Sequence, residues 1–262
     1  MIPKIIHYCW FGRNEMPDEL KIYIESWREF CPDYKIMMWS EDNFDVNGQT
    51  FTKSAYELKK YAYVSDYVRA HALNVYGGIY LDTDVEIKKK FDIFLENDAF
   101  SGFEQLGIPF ATAIWGAKKG HTLTQRVLEY YHDRVYTAAE KPNPVLLSRL
   151  VEQYFGIDVQ KDEKQIGSDG LDSVTIYPTE TFCLDLNLSY ATHHFSGSWL
   201  PGKEVTFKDY VHSHYHLSKV LKYTKDSNNS VLKGIASSLT FSQVMKIFIF
   251  NGYYILRQLW KK

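Results

Sequence analysis

Asp82 and Asp84 stand on either side of one threonine in the stretch GGIYLDTDVE, directly after a short apolar run. Carboxylates this close together repel each other and add nothing to a hydrophobic core, so a bound cation is their natural partner. Two hard oxygen donors suit Mg²⁺ or Mn²⁺, which commonly bridge protein carboxylates to substrate phosphates. The pair therefore predicts a divalent metal site that handles a phosphorylated ligand.

Other interpretations of the pair stay open. An isolated Asp-x-Asp also occurs in solvated turns. A phosphatase of the haloacid-dehalogenase type carries this motif near the chain start, with a hydroxyl or valine where this chain has Glu86. A glycoside hydrolase could use two carboxylates about 6.6 Å apart along a strand. Hydrolysis, however, needs separate acid and base environments, whereas neighbouring carboxylates at one strand end share the same one.

Three further side chains could bind a nucleotide or a sugar. Trp10 ends the first predicted strand, where the base of a nucleotide lies in many α/β sheets, and its indole face can stack on uracil or guanine. A core position is the alternative. Asp66 and Arg69 share one face of a predicted helix with small apolar residues, which favours a buried pair. Since buried ion pairs add little net stability, binding of sugar hydroxyls competes with a structural role.

The segment ATHHFSGSWLPG at 191–202 has the composition of a mobile loop rather than of a core element. Such a loop could give one imidazole to a metal ion and hydrogen bonds to a phosphate, and could close over substrate to exclude water. His212, His214 and His216 alternate as zinc ligands might, but no cysteine or acid accompanies them, so zinc is the weaker interpretation.

The elements that would position these groups follow an α/β order. A strand that stops at Gly12, a helix over 17–30 and a strand over 34–39 favour a layered fold with parallel pairing. The residues at 54–75 predict one long helix with Ser54 as its N-cap and Glu57 completing a capping box, and Gly77 follows its end. Later elements are predicted as strands near 99–104, 110–116 and 173–177 and as helices near 121–135 and 144–155.

Composition limits the class of protein. The chain has 262 residues, 45% of them hydrophobic, which is enough to bury a full core. A net charge of −2 provides no basic field, so no nucleic acid partner is expected. Three widely spaced cysteines indicate neither a disulfide framework nor a zinc site, and the N-terminal residues lack the pattern of a signal peptide. The prediction is a cytoplasmic protein.

The C-terminal part differs from the rest of the chain. The polar, turn-prone KDSNNS at 225–230 predicts a linker, which divides the chain into a catalytic domain at 1–224 and a helical extension at 225–262. The apolar run at 244–260 is interrupted by Lys246 and is too short to span a membrane comfortably. Residues 231–262 could instead contact the inner face of the plasma membrane or pack on protein.

Three stretches of the chain, IPKIIHYCWFG, SDYVRAHALNVYGGIYLDTDVE and HHFSGSW, resemble in this order the family 32 glycosyltransferases. That family includes bacterial capsular and lipooligosaccharide enzymes and yeast initiating mannosyltransferases, and the glucosyltransferase domains of clostridial toxins are more distantly similar. The resemblance covers about residues 2–200 and implies a GT-A fold, an α/β Rossmann-like mixed sheet flanked by helices. It also implies a nucleotide-sugar donor, a divalent ion that is usually Mn²⁺, with Mg²⁺ as the alternative, and retention of anomeric configuration.

The resemblance assigns donor-binding roles to five residues. Trp10 would stack on the nucleobase, and Asp66 and Arg69 would hold hydroxyls of the donor sugar. Tyr80 would line the donor site. Asn143, in the sequence KPNP, is a weaker candidate for a contact to the donor sugar.

The resemblance also assigns the metal and phosphate contacts. Asp82 would contact the ribose and a metal-bound water, and Asp84 would bind the metal directly. His194 falls where a C-terminal metal ligand is expected, although the toxins carry an acid there. Ser198 and Trp199 would reach the diphosphate from the closing loop. With Asp66 and Arg69, the two DXD aspartates form the predicted catalytic set.

The sequence thus predicts a metal-dependent retaining glycosyltransferase for bacterial surface polysaccharide synthesis. It would transfer a hexose or N-acetylhexosamine from a nucleotide-sugar, with a UDP-sugar favoured, to a glycan or lipid-linked acceptor. A Mg²⁺-dependent phosphatase is the alternative enzyme. A non-catalytic carbohydrate-binding protein would be expected to lose Asp82, Asp84 or Arg69, and all three are present.

Overall fold

A computed structural model describes residues 1–104, 111–194, 196, 240–242, 244–246 and 248–249. Its strands are β1 Ile5–Cys9, β2 Lys35–Trp39, β3 Gly78–Leu81, β4 Val85–Ile87, β5 Ala99–Gly102, β6 Ala111–Ala117, β7 Gln165–Ser168, β8 Ser173–Tyr177 and β9 Ala191–His193. Its α-helices are α1 Asp18–Phe30, α2 Thr50–Glu57, α3 Tyr61–Tyr76, α4 Thr122–Tyr131, α5 Asn143–Phe155 and α6 Thr179–Phe182.

Within these described residues, seven strands form one mixed sheet in the order β2-β1-β3-β6-β5-β8-β7, and β4 pairs with β9 in a small second sheet. Strand β1 is parallel to both β2 and β3, whereas β6 is antiparallel to both β3 and β5. The strands β1, β2, β3 and β5 therefore all end at the same edge. The predicted class, an α/β fold with a mixed sheet flanked by helices, is confirmed.

Helices cover both faces of the large sheet because side chains alternate along its strands. On β3, Tyr80 belongs to the core cluster that contains Val68 of α3, whereas Ile79 belongs to the cluster that contains Trp27 of α1. The indole Nε1 of Trp27 also donates a hydrogen bond to the carbonyl oxygen of Val85 at 2.7 Å. This bond anchors the small second sheet to α1, beside the end of β3.

The long helix predicted over 54–75 is wrong in one respect, because the chain forms two helices there. Lys59 adopts a left-handed conformation with φ 55°, and the amide of Lys60 donates to the carbonyl of Ala55 at 2.8 Å, which closes α2. Ser54 is no N-cap but lies inside α2, where its hydroxyl donates to the carbonyl of Thr50 at 2.8 Å. The second helix, α3, is the one that carries the predicted sugar-binding pair.

Two glycines turn the chain from α3 directly into β3. Gly77 ends the helix with φ 66°, and Gly78 has φ 117°, a backbone conformation that L side chains rarely adopt. A Cβ atom at Gly78 would lie 2.6 Å from the carbonyl oxygen of Ile5 on the neighbouring strand. The tight turn therefore requires glycine, and it fixes the position of α3 relative to the residues that follow β3.

The predicted C-terminal extension is described only in part. Residues 241–242, 244–246 and 248–249 are helical, and two of their side chains are strongly exposed, with Phe241 at 81% and Phe248 at 75%. The predicted linker and the three alternating histidines lie outside the described residues, so the division at residue 225 stays a prediction. Among the described residues, no helix has the length and apolar character needed to cross a membrane.

A buried histidine, His7, makes the stability of this fold depend on pH. Its Nε2 donates to the carbonyl oxygen of Gly77 at 2.8 Å, because a carbonyl can only accept, and its Nδ1 accepts from the indole of Trp39 at 3.2 Å. Burial lowers the pKa of His7 to about 4 from the ordinary 6.5. The neutral ring is therefore favoured in the folded state, so stability is full above pH 6.5 and falls as pH decreases toward 4.

We expect the unfolding free energy to decrease by about 2 kcal/mol between pH 8 and pH 5 because of His7. The loss is about 1.36 kcal/mol for each pH unit below 6.5, where His7 of the unfolded chain takes up a proton. His7→Gln cannot titrate, so it should be less stable at pH 8 but lose less stability on acidification. Urea denaturation at both pH values measures the effect, with His132→Gln as the control at a side chain that is 71% exposed. Equal losses in wild type and His7→Gln would contradict the prediction.

Candidate active site at the end of strand β3

The two DXD aspartates lie where β3 ends, at the edge that it shares with the ends of β1, β2 and β5. The amide of Asp82 donates to the carbonyl of Ala113 at 2.8 Å, which extends the sheet pairing by one residue. The amide of Val85 donates to the carbonyl of Asp82 at 3.1 Å and closes a turn into β4. Asp82 is half-buried and Asp84 is buried. The motif thus occupies the edge at which open α/β sheets bind their ligands.

A buried arginine connects α3 to this strand end. One guanidinium nitrogen of Arg69, Nη2, lies 3.2 Å from Oδ1 of Asp66 and 3.3 Å from Oδ1 of Asp82. The guanidinium carbon lies 4.5 Å from the centre of the Tyr80 ring, and the Tyr80 hydroxyl donates to Oδ1 of Asp82 at 2.8 Å. The structure therefore brings four predicted donor-site residues into one connected group, in which Arg69 contacts the other three. Their roles toward a donor stay predictions.

Burial and charge set the ionisation of this group. Burial raises the pKa of Asp66 to about 6, against the opposing effect of the Arg69 charge. Burial alone would lower the pKa of Arg69, but the neighbouring groups, led by Asp82, hold it above its ordinary value. Arg69 is thus a fixed cation, and Asp66 is mainly a carboxylate near neutral pH, which accepts hydrogen bonds. Such a pair suits hydroxyl groups of a sugar.

Asp84 is held from two sides. Its Oδ1 lies 3.4 Å from Nε2 of His193, and its Oδ2 accepts hydrogen bonds from the amide and the hydroxyl of Ser196 at 2.9 and 3.0 Å. Burial alone would raise the pKa of Asp84, but His193 and the two Ser196 bonds lower it well below its ordinary value. Burial would lower the pKa of His193, but Asp84 and Glu104 raise it well above its ordinary value.

Three side chains at this place could hold a metal ion. Asp82, Asp84 and His193 each offer one ligand atom, and these atoms all lie within 4.8 Å of one another. Two carboxylate oxygens and one imidazole nitrogen form a donor set that a divalent cation accepts, and further positions would be left for water or phosphate oxygens. The residues present therefore fit a divalent ion bound at the DXD motif.

His194, the histidine predicted as a metal ligand, is not one of these three residues. Its Nε2 lies 2.8 Å from Oε2 of Glu86, and its ring stacks on that of Tyr23 with a centroid distance of 4.3 Å. The register of β9 against β4, which pairs His193 with Val85, brings His193 toward the carboxylates instead. A ligand role for His194 stays a prediction, and the geometry favours its neighbour.

The remaining predicted donor contacts are placed as follows. Trp10 follows β1 and is half-exposed, and its indole donates to the carbonyl of Asn14 at 2.7 Å. Asn143 is fully buried at the start of α5, where its amide nitrogen lies 3.1 Å from the Tyr131 hydroxyl and 3.4 Å from the carbonyl of Asp66. Ser198 and Trp199 lie outside the described residues.

The structure adds three residues that the sequence prediction did not single out. These are His193, Ser196 and Glu104, whose Oε1 lies 2.8 Å from Nδ1 of His193. Glu104 follows β5, which ends at the same sheet edge as β3. The sequence does place Glu104 just after a predicted strand. Only the strand order, however, shows that this strand ends at the same edge as β3. The double histidine gave no basis for choosing between its two members.

Comparison with known proteins shows a similarity to glycosyltransferases. Residues 17–101 match the family model described as a glycosyltransferase sugar-binding region containing a DXD motif. The chain is 25% identical over 217 residues to an uncharacterized glycosyltransferase, L373, of Acanthamoeba polyphaga mimivirus, an alignment that covers 77% of this chain and 85% of that protein. It is 30% identical over 159 residues to inositol phosphoceramide mannosyltransferase 3 of Schizosaccharomyces pombe, covering 56% of this chain and 44% of the yeast protein.

The chain therefore spans most of the viral relative but less than half of the yeast enzyme. Among solved structures, the PaToxG glycosyltransferase aligns with 18% identity and a TM-score of 0.46, over 58% of this chain and 69% of that one. The matched residues 17–101 contain the two DXD aspartates, together with Arg69, which contacts Asp82, and Asp66, which contacts Arg69. Residues 17–101 are thus similar to the glycosyltransferase sugar-binding region that contains a DXD motif.

Proposed function

We propose that this glycosyltransferase is metal-dependent and retains the anomeric configuration of the sugar. It would transfer a hexose or N-acetylhexosamine from a nucleotide-sugar to a glycan or lipid-linked acceptor. The reaction would take place in the cytoplasm, as a step of surface polysaccharide synthesis. A UDP-sugar is the favoured donor. The observation that carries the proposal is the contact of Arg69 with both Asp66 and Asp82, directly beside the group formed by Asp82, Asp84 and His193. Asp82 thus contacts the proposed sugar-binding arginine and also belongs to the proposed cation site.

The acceptor is proposed from the relatives. The Schizosaccharomyces pombe protein is named as an inositol phosphoceramide mannosyltransferase, and a Saccharomyces cerevisiae relative is named as a mannosyl phosphorylinositol ceramide synthase. These names support a lipid-linked acceptor and mannose as a candidate sugar, so GDP-mannose, which the sequence leaves open beside the UDP-sugars, belongs among the donors to be tested.

The metal site has a defined part in this proposal. Asp82, Asp84 and His193 would hold a divalent ion, whose charge would offset the negative charge that develops on the departing nucleoside diphosphate. Ser196 already donates two hydrogen bonds to Asp84, so it fixes the direction of that carboxylate. Arg69 fixes Asp82 in the same way from the other side.

The donor sugar would be oriented by the residues of α3 and β3. Arg69 donates and Asp66 accepts, so together they can hold two adjacent hydroxyls in a defined direction. The Tyr80 ring packs against the guanidinium and limits its movement. Correct orientation of the sugar carbon toward the acceptor lowers the entropic part of the barrier.

Retention is proposed to occur by front-face transfer. Among the described residues, Asp66 and Asp82 both contact Arg69, and Asp84 contacts His193, so none of these three carboxylates is a free nucleophile. The bond from the sugar carbon to the phosphate oxygen would break as the acceptor oxygen bonds to the same face. The acceptor proton would pass to the departing phosphate oxygen.

Nucleotide binding is the first test. In a thermal-shift panel with Mn²⁺ and UDP, GDP, CDP or ADP, we expect one base to raise the melting temperature, since saturation at 100 times Kd stabilises by about 2.7 kcal/mol. Asp84→Ala should abolish the shift, and Asp42→Ala, at a side chain that is 76% exposed, is the matched control. A shift with Mg²⁺ and a phosphate ester, but with no nucleotide, would indicate a phosphatase instead.

The choice between the two histidines is testable by metal binding alone. We expect His193→Gln to weaken Mn²⁺ binding by at least about 10-fold and His194→Gln to leave it nearly unchanged, because only His193 lies with the carboxylates. The EPR signal of free Mn²⁺ during titration measures the affinity. The reverse result would assign the ligand to His194, and thermal melts would show whether both variants fold.

The proposed membrane contact through residues 231–262 is tested separately. Phe241, Phe248 and Ile249 are exposed and lie on a helical segment near Lys246, a combination that suits an anionic lipid surface. We expect the full chain to float with liposomes that contain anionic lipid, and a chain without 231–262 to stay in the lower fraction. If the shortened chain floats as the full chain does, the proposed membrane contact is wrong.

A further inference from the structure

Glu104 reaches the candidate metal site from a separate part of the sheet. It follows β5 and contacts neither DXD aspartate in the described structure, but its Oε1 lies 2.8 Å from Nδ1 of His193. The two side chains are about equally buried, at 10% and 11% exposure. A buried carboxylate requires a partner of this kind, so the contact is a defined part of the interior rather than a surface pair.

The contact determines which nitrogen of His193 faces the aspartates. A carboxylate accepts hydrogen bonds, so Nδ1 of His193 must carry the hydrogen that lies toward Glu104. The other nitrogen, Nε2, then lies 3.4 Å from Oδ1 of Asp84. It is the atom that His193 can offer as a metal ligand beside Asp82 and Asp84. A metal ion at this place would replace the hydrogen on Nε2, and the ring that keeps its hydrogen on Nδ1 would then present its Nε2 lone pair to the metal.

A ring held at only one nitrogen could turn about its side-chain bonds. The backbone of His193 is fixed by the pairing of β9 with β4, but this pairing does not decide the direction of the imidazole. Glu104 does so, because it comes from β5 in the other sheet and accepts from the ring side opposite Asp84. Carboxylates in this position toward metal-bound histidines orient the ring and raise its basicity.

We propose that Glu104 is a positioning residue for the metal site, which fixes the tautomer and the orientation of His193 so that Nε2 joins Asp82 and Asp84 as a ligand. The inference rests on the proposed metal dependence and deepens it. It goes beyond the family match, because Glu104 lies outside the matched residues 17–101. The alternative is a purely structural pair, in which Glu104 neutralises a buried histidine and has no effect on metal binding.

The test compares two substitutions of different chemistry. Glu104→Gln keeps an oxygen that can accept from Nδ1, whereas Glu104→Ala removes the acceptor. We expect Glu104→Ala to weaken Mn²⁺ binding about 10- to 100-fold and Glu104→Gln to recover most of that loss. Glu163→Gln, at an exposed glutamate, is the matched control and should bind as wild type.

A spectroscopic signature separates positioning from simple stability. Electron spin echo measurements on bound Mn²⁺ detect the coupling to a ligand nitrogen, and we expect this ¹⁴N coupling in wild type and Glu104→Gln but a weak one in Glu104→Ala. Equal affinity and equal ¹⁴N coupling in wild type and Glu104→Ala would overturn the inference. If Glu104→Ala does not fold, the shorter Glu104→Asp replaces it, with the same expected direction.

The outcomes also separate this inference from the proposed function. If wild type binds Mn²⁺ and His193→Gln weakens it, but the Glu104 variants bind as wild type, only the positioning role is wrong. If wild type binds no Mn²⁺ with or without nucleotide, metal dependence is wrong and the inference is overturned with it.

Discussion

Buried negative charge is the constraint on which this structure depends. Carboxylates gathered at one strand end in the interior of a protein destabilise it unless cations lie between them, and removing such a cation costs several kcal/mol. Here two cations each contact two carboxylates. Arg69 contacts Asp66 and Asp82, and His193 contacts Asp84 and the glutamate that follows β5. The elements that supply these cations are held in place by packing of α3 in the core and by pairing of β9 with β4.

The strand order explains how distant parts of the chain reach one place. Strands β1, β3 and β5 end at the same edge, because β6 runs antiparallel between β3 and β5. The indole after β1, the DXD aspartates after β3 and the glutamate after β5 therefore all lie at that edge. Gly77 and Gly78 add α3 to the set by turning it tightly onto β3. The chemistry thus resides in short segments after strands, on a rigid frame.

The sequence predicted the parts of the fold that depend on residues close to one another in the chain. The apolar spacing of α1, with Leu20, Ile24 and Trp27 buried, and the acidic end of β3 could both be read from the sequence. The break at Lys59 could not, since a left-handed conformation at a lysine has no sequence signal comparable to glycine. The choice of His193 over His194 depends on the register between β4 and β9, and a shift of one residue would exchange the two rings.

The separation of β9 from the large sheet has a consequence for the order of folding. Among the described residues, the last strand of the large sheet ends at Tyr177, whereas β9 comes later in the chain and pairs with β4. This pairing closes a long loop, so its entropic cost falls on a step that the strands of the large sheet do not need. During synthesis, the large sheet can form before the histidine has left the ribosome. The polypeptide would acquire its shape first and its cation-binding capacity afterwards.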